Sequence, residues 1–164
     1  MDDREVVARQ LGRPPRAFRR VVVRCPFGRP AVTEQEAYDR EGEPFPTTYY
    51  LTCPHLVAAV SRREAAGGVE TWSEQVEHDP MLARSLHDAT VKQQEIRRDL
   101  AGGRSGRDGG ASLELGIGGS RNPRRLKCLH AHAAFALANQ GYELGDRIVA
   151  ELPQPLWPSR CCTP

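Results

Sequence analysis

The sequence predicts an α+β fold: a small antiparallel sheet covered by helices, with a helical hairpin attached. Three observations predict it. β-branched and aromatic residues concentrate in two short runs, RRVVVR at 19–24 and TTYYLT at 47–52. Across 70–100 the spacing is helical, with Leu82, Leu86, Ala89, the one polar member Gln93, Ile96 and Leu100 at alternating steps of four and three. A third pattern, LKCLHAHAAFALA, sits inside a helix predicted from Arg124 to about Asn139 and closed by Gly141. The 164 residues, 39% hydrophobic and 27% charged, suit one domain over 1–150 and a proline-broken tail over 151–164.

Residues 2–11 read as a short helix, with Asp2 and Asp3 favouring its N-terminus and Gly12 ending it. Pro14-Pro15 then enforces an extended linker. CPFGRP at 25–30 is a turn by composition, and 31–43 is a polar, acidic loop with room for an edge strand. Pro54 suits the first turn of a helix that runs to about Ala66, with Leu56, Val57 and Val60 inward and Gly67-Gly68 as its stop. Residues 70–79 form one arm of the hairpin, with Trp72 and Val76 four apart, and Asp79-Pro80 starts the other. AGGRSGRDGGAS at 101–112 is glycine-rich and expected to be mobile. A last short helix is expected over 143–151, and the tail PQPLWPSRCCTP is expected to fray.

No run of about 18 apolar residues exists, which excludes a membrane-spanning helix. The acidic, amphipathic start MDDREVVARQLG does not read as a secretory signal, and the expected location is the cytoplasm. Of 23 basic residues, 21 are arginine, and they are unevenly placed. Residues 13–29 carry six Arg and no acid, and 101–127 carry six bases against two acids. The stretch between them, 30–100, holds thirteen acids and seven bases. Two readings follow. Arg16 and Arg24 join Arg121, Arg124 and Arg125 in one anion-binding face for phosphate or nucleic acid, or the basic segments pair with the acidic middle.

The cysteines carry the candidate chemistry. Cys161 and Cys162 lie in the tail, while Cys25, Cys53 and Cys128 have more telling settings. Cys25 leaves a strand into a turn, Cys53 precedes a helix N-terminus, and Cys128 lies within the strong helical pattern. On an uninterrupted helix Cys128 and His132 are one turn apart and converge on a common point, as i and i+4 ligands do. Three explanations compete. Cys25, Cys53, Cys128 and His132 bind zinc, or the three thiolates hold an iron–sulfur cluster. Alternatively Cys53 is a reactive thiolate with His132 as its base. In the third, all three cysteines are small buried hydrophobes. The metal reading requires the three sulfurs to fall within about 4 Å of one another. An adaptor role for the 70–100 hairpin is a further alternative.

The blocks VARQLGRPPR at 7–16, RCPFGRP at 24–30, PFPTTYYLTCP at 44–54 and RRLKCLHAHAAFALA at 124–138 resemble a known family. It is the actinobacterial family called domain of unknown function five hundred and one, and the resemblance covers most of residues 5–145. It implies a small cytosolic actinobacterial protein and transfers no catalytic role. Where the family tends to read GxPDRVKCLH, this chain has GGSRNPRRLKCLH, with Arg124 and Arg125 added.

Overall fold

In the computed structural model, which describes residues 1–162, six helices pack around a three-stranded antiparallel sheet. The α+β expectation is met. Helix α1 (Asp3–Leu11) opens with a capping box, in which Asp2 accepts the Glu5 N–H at 2.8 Å and Glu5 reaches back to the Asp2 N–H. Strand β1 (Phe18–Arg24) pairs with β2 (Pro30–Gln35), Val21 lying opposite Thr33 and Val23 opposite Val32. Strand β3 (Tyr49–Leu51) pairs with the other edge of β2, Val32 opposite Leu51.

The central position of β2 departs from the sequence expectation of an acidic loop with an edge strand at most. All six residues of PAVTEQ are buried, polar ones included. Glu34 tolerates this because the guanidinium groups of Arg19 and Arg20 reach Glu34 Oε1 at 3.0 and 2.9 Å. Local composition therefore understated a strand whose acid is paired by its neighbour in the sheet.

Helix α2 (Pro54–Ala65) follows β3 with Pro54 in its first turn, and α3 (Gly68–His78) follows through Gly67 in the left-handed region. Helix α4 (Pro80–Ala101) is capped by Asp79, whose carboxylate accepts the Met81 and Leu82 N–H groups, and it ends at left-handed Gly102. The α3–α4 pair is the predicted hairpin. Trp72, Val76, Leu82, Leu86 and Ala89 join the main core, each large apolar side chain contributing about 1.5–3 kcal/mol by burial.

The glycine-rich segment is tied to the rest of the chain at several points. Fully buried Arg97 donates from Nε to the Ser112 carbonyl (3.2 Å) and from Nη1 to the Phe45 carbonyl (2.8 Å). The Tyr38 hydroxyl donates to Asp108 at 2.9 Å, and Arg107 pairs with Glu43. Helix α5 (Leu129–Ala138) lies in the centre of the molecule and packs on β3, α2 and α6 (Glu143–Ala150). It starts five residues later than the sequence predicts. Cys128 is in extended conformation (φ −155°, ψ 142°), and the Leu126 N–H is bonded to Ser73 Oγ instead of entering a helix. Beyond α6, Leu152 is buried and Leu156 and Trp157 pack against the core.

Candidate functional site

The site forms where the last turn of α2 meets the first turn of α5. Cys128 caps α5, its Sγ accepting the Ala131 N–H at 3.4 Å. A helix N-terminus presents N–H groups without intrahelical partners, and the Cys128 sulfur takes one of them. Across from it, Glu64 Oε1 accepts the Leu129 N–H at 2.9 Å and lies 2.8 Å from His130 Nδ1. One carboxylate oxygen thus satisfies an orphan donor of α5 and orients the imidazole.

The other ring nitrogen of His130 is also engaged. His130 Nε2 lies 3.3 Å from the Val57 carbonyl and 3.1 Å from Ser61 Oγ. A carbonyl and a carboxylate only accept, so the ring donates from Nε2 toward Val57 and, while protonated, from Nδ1 to Glu64. The hydrogen bond to Cys128 is the largest influence lifting His130 above the ordinary histidine range. Burial opposes it, Glu64 adds to it, and the balance is about 9.

Sγ of Cys128, a ring nitrogen of His130 and a carboxylate oxygen of Glu64 lie within 4.8 Å of one another, and all three residues are half-buried. Gly118 closes one side in the left-handed region (φ 69°). A Cβ there would crowd the Ala131 Cβ at 3.1 Å and reach ordinary contact with Cys128 Sγ at 3.8 Å, so the glycine backbone lies beside the sulfur. On the open side, Cys128, His130 and Ala131 line a cleft of about 510 Å³. Its other walls come from Thr47, Tyr50, Leu51, Thr52 and Val57, an uncharged and partly apolar lining.

Of the four residues expected to share a metal, this group contains Cys128 alone. Cys25 is buried in the β1–β2 turn, where its N–H meets the Arg29 carbonyl and its carbonyl accepts the Gly28 N–H. Cys53 does precede the N-terminus of α2, but burial pushes its thiol up to about 11, opposite to what a nucleophile needs. Its sulfur lies 3.6 Å from Cys162 Sγ. His132 points into the core, its Nδ1 2.7 Å from the Tyr142 hydroxyl, and burial pushes it down to about 3. The wheel that joined Cys128 to His132 fails because Cys128 stands outside the helix. Among the described residues, the group of His, Cys, Asp and Glu with metal-ligand spacing is Glu64, Cys128 and His130.

Sequence reasoning missed Glu64 and His130. For His130 a signal existed, the Cys-x-His spacing at a helix start. Glu64 is 64 residues from Cys128, and no local pattern marks it.

Among the predicted anion contacts, Arg16 pairs with Asp39 (3.0 Å), Arg24 with Asp3 (2.6 Å) and Arg125 with Glu70 (2.9 Å). Arg124 and Arg125 line a second cleft of about 620 Å³ together with His87 and Glu77, and Arg121 is exposed. No described helix is long and apolar enough to cross a membrane.

Residues 21–150 match the model of the family described as Protein of unknown function (DUF501). The chain belongs to this family. The matched span of this DUF501 chain holds Cys25, Cys53, Glu64, Cys128 and His130 and leaves out Cys161 and Cys162. No curated protein and no solved structure matches it.

Proposed function

We propose that Glu64, Cys128 and His130 hold a zinc ion at the head of the cleft, and that the ion activates water toward an uncharged, partly apolar substrate. The observation that carries this reading is the convergence of a thiol, an imidazole and a carboxylate within 4.8 Å, on two packed helix ends. Zinc is bound by these donor types, and three protein ligands leave a fourth position for water. Thiolate and carboxylate together supply two negative charges against the two positive charges of the ion.

The surroundings support it. Ligating histidines usually donate their second ring N–H to a carbonyl or carboxylate, as His130 Nε2 does toward Val57. The Ala131 and Leu129 N–H groups hold the sulfur and the carboxylate in place. The cleft walls away from His130, uncharged and partly apolar, are the basis for the substrate class.

The deciding experiment loads the purified full chain with zinc, and separately with cobalt. Expected are one equivalent of bound zinc and a near-ultraviolet sulfur-to-cobalt band. Cys128→Ser should abolish that band, and Cys25→Ala should keep it. Failure to retain either metal overturns the reading. A second reading, Cys128 as a nucleophile activated by His130, draws on its position as N-cap of α5 at the cleft wall. A metal-free chain whose Cys128 is alkylated rapidly by iodoacetamide, and slowly in Glu64→Gln, selects it.

A further inference from the structure

We infer that Cys53 and Cys162 form a reversible disulfide that fastens the C-terminal tail beside the cleft, with a peroxide as the oxidant. The two sulfurs already lie 3.6 Å apart, although 109 positions separate them in the sequence. Both are thiols in this structure. Sulfur in contact with sulfur is the arrangement from which a bond of about 2.05 Å forms with little chain movement.

The two positions divide the chemistry. Cys162 is exposed and meets oxidant from solvent, whereas Cys53 is 2% exposed beneath it. In the first step the Cys162 thiolate attacks a peroxide oxygen and the O–O bond breaks. For hydrogen peroxide, Cys162 becomes a sulfenic acid and hydroxide leaves. In the second step the Cys53 sulfur attacks the sulfenic sulfur, the S–O bond breaks, and water leaves with the Cys53 proton. In sum, two thiols and one hydrogen peroxide give one disulfide and two waters. Cys53 takes the second role through position: burial shields it from the bulk oxidant, and the contact with the Cys162 sulfur held by the fold offsets the weak ionisation that burial gives its thiol.

The location gives the bond a consequence. Thr52 and Pro54, the neighbours of Cys53 in sequence, both line the 510 Å³ cleft. Leu152 is buried and Leu156 and Trp157 pack on the core, so the chain leading to Cys162 already lies against the domain. Oxidation locks that packed tail to the segment between Thr52 and Pro54, and a reducing thiol restores the unlinked arrangement, in which only packing holds it. The inference is independent of the zinc reading, since neither cysteine belongs to the Glu64–Cys128–His130 group.

The test treats the intact reduced chain with one equivalent of hydrogen peroxide, quenches with an alkylating agent and maps peptides by mass. The expected result is a loss of two titratable thiols per monomer and a peptide linking Cys53 to the tail. Cys161→Ser should keep the link and Cys162→Ser should abolish it. A link that persists in Cys162→Ser, a Cys161–Cys162 bond, or a disulfide between two chains each overturns the inference.

Discussion

His132 is a titratable side chain with no room for a charge. It is 1% exposed, its Nδ1 is occupied by the Tyr142 hydroxyl, and its Nε2 has no hydrogen-bond partner among the described residues. Whichever tautomer it adopts, one nitrogen is left unsatisfied in the core, next to the edge-to-face pairs that Phe135 makes with Tyr49 and Tyr142. Burial lowers its pKa from the ordinary 6.5 to about 3. The unfolded chain therefore takes up a proton in acid that the folded chain refuses. The stabilisation is complete above pH 6.5 and is lost progressively as pH falls toward 3. The expected slope is at most about 1.4 kcal/mol per pH unit from this one group. Urea denaturation across that window checks it. His132→Asn, which keeps an acceptor for Tyr142, is expected to be less stable yet to have a shallower slope.

At the scale of elements, α6 and α5 meet through a residue without a side chain. Gly145 is helical, so helix propensity alone would favour alanine there by about 1 kcal/mol. Packing outweighs it. A Cβ at Gly145 would stand 2.3 Å from Tyr142 Cδ1 and 2.7 Å from the Ala136 Cβ, on the facing helix. Gly145→Ala is accordingly expected to destabilise the fold by about 1–3 kcal/mol, measured by thermal or denaturant unfolding. The legibility of each element followed from where its determinants lay. Helices α1, α2 and α4 were readable because Asp2, Pro54 and Asp79-Pro80 mark their starts locally. Strand β2 was hidden because its burial depends on Arg19 and Arg20 from another strand. The start of α5 was misplaced because a cysteine is not among the usual capping residues. That single shift moved His132 away from Cys128 and left His130 as its neighbour. Cys128 itself was legible, while Glu64 depends on a tertiary meeting of α2 and α5.

Across the whole molecule, part of the charge is matched in ion pairs at the surface. Arg98–Glu114, Arg107–Glu43 and Arg125–Glu70 are exposed pairs, each worth about 0–1 kcal/mol and weakened by salt. The basic and acidic segments that stood out in the sequence therefore meet in part with each other and add little to stability. The candidate site is of a different kind, because Glu64 couples the end of α2 to the start of α5 through contacts 65 and 66 positions apart in the chain. A ligand that binds all three donors recognises the folded arrangement and stabilises it by mass action. At free zinc about a hundredfold above its dissociation constant, that amounts to about 2.7 kcal/mol. For a domain of this length each kcal/mol moves the melting temperature by about 2–4 °C, so a rise of about 5–10 °C is expected. Zinc held by thiols in the unfolded chain reduces the shift, which makes comparison of variants more informative than its absolute size. Differential scanning calorimetry with zinc and with chelator should show the rise in the parent chain and in Cys25→Ala. In Cys128→Ser and Glu64→Gln the rise should be largely lost. An equal rise in all four chains would place the ion somewhere other than the junction of α2 and α5.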